Sequence, residues 1–104
     1  MNLLTDSNFM EFIKNSDKPV LVDIFTQWCP PCKMLAPVVE KVASDYKEKI
    51  VVAKIDLDAS PIIGNKFGVE VIPTVILFKD GEVVDKFVGF KPEQEIKKWI
   101  DRKI

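Results

Sequence analysis

At 104 residues the chain is long enough for one hydrophobic core and too short for two, so we expect a single domain over residues 1–104. Its formal net charge of -1 is not that of a polyanion-binding protein, which argues against nucleic acid as a partner. No apolar run approaches the ~20 residues of a membrane span, and the N-terminus lacks the basic and apolar regions of a signal peptide, so we expect a cytoplasmic protein.

The first half of the chain alternates predicted strands and helices. In chain order these are a short strand at 3–4, a helix carrying the apolar residues Phe9, Phe12 and Ile13, a strand over 20–25, a helix over about 31–46 and a strand over 50–55. Thr5, Asp6 or Ser7 is expected to cap the first helix. The last of these strands is almost entirely apolar, which predicts burial on both faces.

The second half predicts a short helix near 61–67, two strands over 74–79 and 82–88, and a last helix beginning at Pro92. Asp80-Gly81 between the two strands is a strong signal for a two-residue hairpin. The inward face of the last helix is expected to hold Ile96, Trp99, Ile100 and Ile104. This order of elements predicts an α/β fold, with a mixed sheet of four to five strands covered by helices on both faces.

Both cysteines lie in one segment, Trp28-Cys29-Pro30-Pro31-Cys32-Lys33, where the strand pattern changes to a helix pattern. Residues i and i+3 of a helix lie about 5 Å apart, within disulfide range. A ring this short would constrain the unfolded chain little, so a purely structural disulfide is disfavoured. A zinc site needs four ligands, and two cysteines without any histidine could supply them only if two chains shared the site. The arrangement favours a redox pair over these two alternatives.

The position of the pair predicts a role for each cysteine. Unpaired N–H groups and the positive end of the helix dipole favour a thiolate at the helix N-terminus. Cys29, nearest the tip, is expected to attack, and Cys32, one turn deeper, to resolve the mixed disulfide. Pro30 and Pro31 have no N–H, so a Cys29 thiolate must depend on the amide of Cys32.

Two charged residues interrupt the apolar strands. Asp23 is either a solvated or edge residue, or a buried carboxylate beneath Cys32 that accepts its proton. Lys54 either lies near Asp23, where it moderates the pKa of the carboxyl, or extends its amine to solvent.

The chain resembles the thioredoxin family along essentially its whole length. The matching segments are Val22-Asp23, the Trp28–Lys33 motif, Pro37, Lys54–Asp56, Ile72–Thr74, Lys79–Gly81 and Gly89. The sequence departs from the family at three positions: Pro30 replaces the usual glycine, Phe25 stands where many members carry tryptophan, and Glu70 stands where a neutral or basic residue is common.

The resemblance implies a thioredoxin fold in which the Ile72–Pro73 bond is cis and faces the cysteines. The Ile72 backbone would then pair with an extended substrate segment. The apolar rim around Cys29 would consist of Trp28, Val71, Ile72, Pro73, Gly89 and Phe90. The function implied is the reduction of protein disulfides by a monomer that a thioredoxin-reductase-type donor re-reduces. No bound cofactor is expected, because the dithiol itself carries the electrons.

Two alternative functions stay open at this point. An oxidase or isomerase would use the same chemistry in the opposite direction. A binding module would use the Pro73 face for partner binding while its cysteines remained chemically inert.

Overall fold

The computed structural model describes all 104 residues, and its nine elements follow the predicted succession. In chain order they are β1 (Asn2–Leu4), α1 (Phe9–Asn15), β2 (Val20–Phe25), α2 (Pro30–Asp45), β3 (Val51–Asp56), α3 (Pro61–Lys66), β4 (Thr74–Lys79), β5 (Glu82–Val88) and α4 (Glu93–Lys103). None of the helices has the length and apolar character that crossing a membrane requires.

The five strands form one mixed sheet in the order β1-β3-β2-β4-β5. Strands β1, β3 and β2 are parallel, β4 is antiparallel to β2, and β5 is antiparallel to β4. Helices α1 and α2 connect the parallel strands, as parallel pairing requires. The tight β4–β5 connection has positive φ angles at Asp80 and Gly81, which are those of the predicted two-residue hairpin turn.

The sheet separates two hydrophobic layers, which confirms helices on both faces. Side chains alternate along β2, so that Leu21 joins one layer while Val20, Val22 and Ile24 join the other. The first layer contains residues of α2 and α4, and the second contains residues of α1 and α3. The strand β3 contributes to both layers, as its apolar sequence predicts.

The predicted cap of α1 is wrong. The N-cap residue is Asn8, and its side chain makes no capping hydrogen bond. Asp6 instead caps α3, because its two carboxylate oxygens accept the N–H groups of Ile62 at 3.1 Å and Ile63 at 2.9 Å. A contact between residues so far apart in the chain leaves no local pattern in the sequence.

The predicted burial of Ile104 is also wrong. Its side chain is 39% exposed, whereas Ile96 and Ile100 are fully buried and Trp99 is nearly so. Helix α4 ends at Lys103, so Ile104 lies beyond the last helical residue, and the hydrophobic layer that α4 covers stops at Ile100.

Candidate functional site

Three chain segments meet where neighbouring strands of the sheet end or begin. Ile24 pairs with Thr74, and Thr74 pairs with Val88, so the end of β2, the start of β4 and the end of β5 are adjacent. The segments that extend beyond this end of the sheet are 26–29, 70–73 and 89–91.

The first of these segments leads into α2. Cys29 is the N-cap residue, and its sulfur accepts a hydrogen bond from the Cys32 N–H at 3.2 Å. Pro30 and Pro31 form the first helical positions, where a missing N–H breaks no helical hydrogen bond. The two cysteines form a disulfide with their Cα atoms 5.2 Å apart. This is the spacing expected from the helix geometry.

The cysteines do not differ in exposure, although a deeper Cys32 was expected. Each is 3% exposed. What distinguishes them is their surroundings. The Cys29 sulfur lies 3.9 Å from the carbonyl oxygen of Ile72, whereas Cys32 lines a cleft together with Asp23.

The segment that faces Cys29 has the geometry implied by the resemblance. The Ile72–Pro73 bond is cis, and Pro73 is buried. The Pro73 carbonyl accepts the Gly89 N–H at 2.8 Å, which brings the segment after β5 beside it. Gly89 has a φ of 87°, a conformation that favours glycine.

Each of these three segments carries one exposed apolar side chain. They are Trp28, Val71 and Phe90, here called the rim, which are 66%, 56% and 41% exposed. The Trp28 ring is held in place, because its Nε1–H donates to the Asp58 carboxylate at 2.7 Å. No sequence motif marks Asp58. Its one signal is its place after β3, whose carboxyl end lies beside that of the parallel strand β2.

Asp23 lies in the central strand β2 beside Lys54 of β3, which excludes the edge position left open above. The residue is 3% exposed. Burial raises the pKa of the Asp23 carboxyl from 3.8 to about 6, and the nearby Lys54 charge lowers it in part. The Asp23 Oδ1 atom has no hydrogen-bond partner.

A cleft of about 210 Å³ borders both this carboxylate and Cys32. Asp23, Lys54 and Cys32 all line it, and Cys29 does not. Thr26 also lines the cleft, and its buried hydroxyl has no hydrogen-bond partner. No pattern in the sequence singles out Thr26.

Comparison with known proteins agrees with this geometry. The thioredoxin family model matches residues 1–102, which is nearly the entire chain. The chain belongs to the thioredoxin family. It is 50% identical to the thioredoxin of Staphylococcus haemolyticus (strain JCSC1435) over 95% of this chain and 93% of that protein. It is 47% identical to the thioredoxin of Chlorobaculum thiosulfatiphilum over 96% of this chain and 93% of that protein.

Membership in the thioredoxin family, together with the bonded cysteine pair, makes the protein a thiol–disulfide oxidoreductase. The reaction is an exchange between its dithiol and a disulfide, so protein disulfides are its substrates and a reductase is its general type of electron donor. In the thioredoxin fold seen here, the reactive pair lies at the N-terminus of α2, beside the cis-proline segment.

Proposed function

We propose that the protein reduces protein disulfides, with Cys29 as the attacking residue and Cys32 as the resolving residue of a Cys-Pro-Pro-Cys active site. The Cys29 thiolate forms a bond to one substrate sulfur and displaces the other sulfur as a thiolate. The Cys32 thiolate then attacks the Cys29 sulfur, which releases the second substrate thiolate and closes the Cys29–Cys32 disulfide. The substrate gains the two electrons that the dithiol loses.

The different surroundings of the two sulfurs carry this assignment. The Cys29 sulfur is close to the Ile72 carbonyl and to the exposed rim, where a polypeptide can approach. Cys32 lines a cleft together with a buried carboxylate, which is a suitable acceptor for its proton.

Asp23 and Lys54 are proposed to act on the second step. With a pKa of about 6, the Asp23 carboxyl is largely ionised at neutral pH and still basic enough to accept the Cys32 proton. The Lys54 charge keeps that pKa from rising further.

The proposed substrate-binding surface surrounds Cys29. An extended segment would pair with the backbone of Ile72, next to Pro73, and rest on the Trp28 ring. Gly89 leaves the opposite side of this surface free of a side chain, and Pro30 and Pro31 give the helix tip a fixed shape.

The direction of electron flow is part of the proposal. Working as a reductant requires the dithiol form, which a reductase in a reducing compartment such as the cytoplasm would maintain. Equilibration with glutathione tests this direction: a reduction potential of about -270 mV is typical of thioredoxin, whereas about -120 to -180 mV would indicate an oxidase or isomerase.

We also propose that the protein acts as a monomer, which sedimentation at working concentration checks.

The roles of the two cysteines are tested by trapping. Cys32→Ser should accumulate a mixed disulfide between Cys29 and the substrate, and Cys29→Ser should neither turn over insulin nor trap it. Trapping by Cys29→Ser instead would reverse the assignment. If alkylating both thiols left partner binding and biological activity intact, the protein would be a binding module and the proposed function would be wrong.

A further inference from the structure

Two buried polar atoms in the molecule have no hydrogen-bond partner: Asp23 Oδ1 and Thr26 Oγ1. Both residues are at most 3% exposed, and both line the cleft that reaches Cys32. Leaving a buried hydroxyl or carboxylate oxygen unpaired costs about 1–3 kcal/mol each. Their occurrence at one cleft therefore needs a common explanation.

A hydrated cleft provides that explanation. The cleft volume of about 210 Å³ is far above the roughly 10–15 Å³ that a cavity needs in order to hold one water molecule. A water molecule here would find a hydroxyl, a carboxylate oxygen and the thiol of the reduced Cys32 as partners, within the two to four that a buried water typically has.

We propose that Thr26 is a positioning residue that holds a water molecule between Asp23 and the Cys32 thiol. This inference rests on the proposed role of Asp23 as the acceptor of the Cys32 proton. When Cys32 attacks the mixed disulfide, its proton passes to this water while the water passes a proton to Asp23. The Cys32 sulfur then carries the electron pair that forms the new S–S bond, and Asp23 ends protonated.

Other residues with charged groups line the same cleft, namely Lys54 from β3, Lys33 and Glu40 from α2, and Met1 with its N-terminal amine. Lys54 lowers the pKa of Asp23 by its charge. The Thr26 hydroxyl is uncharged and lies on the segment after β2, so its removal changes the hydrogen bonding of the cleft without changing its charge.

The test compares Thr26→Val, which keeps the side-chain shape but removes the hydroxyl, with Thr26→Ser, which keeps the hydroxyl. An aromatic disulfide reagent releases one coloured thiolate on attack by Cys29 and a second on resolution, so stopped flow separates the two steps. We expect Thr26→Val to slow the second step about three- to tenfold, a small part of the 10²–10⁴-fold that a positioned general base supplies. The first step should be unchanged, and Thr26→Ser should behave like the parent.

A structural role for Thr26 would not move the titration of Asp23, which carboxyl ¹³C NMR follows directly. Loss of hydrogen bonding to the carboxylate should raise the Asp23 pKa in Thr26→Val and leave it in place in Thr26→Ser. The rate effect should also disappear in an Asp23→Asn background, because both residues act on one proton.

The outcomes separate this proposal from the one on which it rests. If Asp23→Asn slows resolution while Thr26→Val changes neither the rate nor the titration, Thr26 has no positioning role and Asp23 keeps its own. If Thr26→Val slows resolution equally with and without Asp23, the water-mediated path to Asp23 is wrong. If Asp23→Asn leaves the rate of resolution unchanged, the role proposed for Asp23 and the role proposed for Thr26 are both wrong.

Discussion

Asp23 is a buried carboxylate that lowers the stability of the folded state at neutral pH. Its carboxyl has a folded-state pKa of about 6 against 3.8 without burial, so the folded state binds the proton more tightly than the unfolded state. Both states are protonated below about pH 4, where Asp23 costs nothing. As the pH rises from there through about 6, the unfolded state loses its proton first and stability falls.

Asp23→Asn should therefore stabilise the oxidised protein at pH 7 and have little effect at pH 3.5. The difference between the two pKa values corresponds to on the order of 3 kcal/mol in the free energy of unfolding. Urea unfolding at the two pH values measures it, with the exposed Asp17→Asn as the matched control. An equal gain at both pH values would show that the effect comes from packing and not from the proton.

A hydrogen bond between Asp58 and Trp28 orients the exposed Trp28 ring. The 2.7 Å hydrogen bond fixes a ring that is otherwise 66% exposed. Asp58→Ala should free the ring and raise the apparent KM for a protein disulfide about two- to fivefold, because ordering one such side chain on binding costs about 0.5–1.5 kcal/mol. The rate with a small disulfide reagent should not change.

The indole N–H resonance of Trp28 reports on the same variant, and that of Trp99 is an internal reference because its own partner is Asp85. If the Trp28 resonance and the KM both stay at the parent values, Asp58 does not hold the ring in solution.

At the scale of elements, α3 depends on a residue from the other end of the sequence. Its first residue, Pro61, has no N–H, and Asp6 accepts the next two N–H groups. Asp6→Ala should lower the free energy of unfolding by ~1 kcal/mol, as is typical for loss of a helix cap. Asp6→Asn should lose less, because its amide oxygen can still accept a hydrogen bond.

Asp17→Ala is the control for this experiment, since it removes an exposed carboxylate from the surface without removing a cap. Urea unfolding and amide exchange at Ile62 and Ile63 are the measurements. Unchanged exchange at these two amides would mean that Asp6 does not cap α3.

At the scale of the whole molecule, the exposed rim around Cys29 should govern the choice of partner. Glu70 is exposed and directly precedes Val71, a member of that rim. Glu70→Lys should raise the rate constant toward acidic disulfide proteins, and the gain should shrink as salt screens the added charge.

Glu48→Lys makes the same charge change in the turn that follows the far end of α2, a helix of 16 residues and ~24 Å. If the two variants respond identically to salt and partner, net charge decides the rate and Glu70 has no special position.

Phe90 offers the rim an apolar surface that a protein substrate can cover and a small reagent cannot. The residue is 41% exposed and follows Gly89, which is hydrogen-bonded to Pro73. Phe90→Ala should raise the apparent KM for protein disulfides about three- to tenfold while sparing a small disulfide reagent. Val83→Ala, at the opposite end of β5 and 46% exposed, should match the parent. Equal behaviour of both variants would remove Phe90 from the docking surface.

Much of the fold follows from local patterns. The apolar run at Val20–Phe25, the hairpin at Asp80-Gly81 and the helical spacing of Ile96 and Ile100 each predict an element that the structure contains. These signals are strong because hydrophobic periodicity and turn chemistry act over only a few neighbouring residues. The two errors, at the α1 cap and at Ile104, lie at element ends, where local patterns are weakest.

The candidate site was predictable only in part. The Cys29–Cys32 pair and the interrupting Asp23 are visible as motifs, because their spacing and their chemistry depart from their surroundings. Asp58 and Thr26 are ordinary residues in the sequence, and their importance comes only from what folding brings against them.

The sequence by itself determined the order of elements, the redox pair and the identity of the residues that could serve it, since propensity, periodicity and covalent spacing are local properties. Only the tertiary structure decided that both cysteines are equally buried, that their sulfurs face different surroundings, and that Asp23 and Thr26 share a cleft with one of them. These features arise from contacts between segments far apart in the chain. Burial, the Asp23 pKa and the access of a substrate are properties of that packing, which no single segment contains.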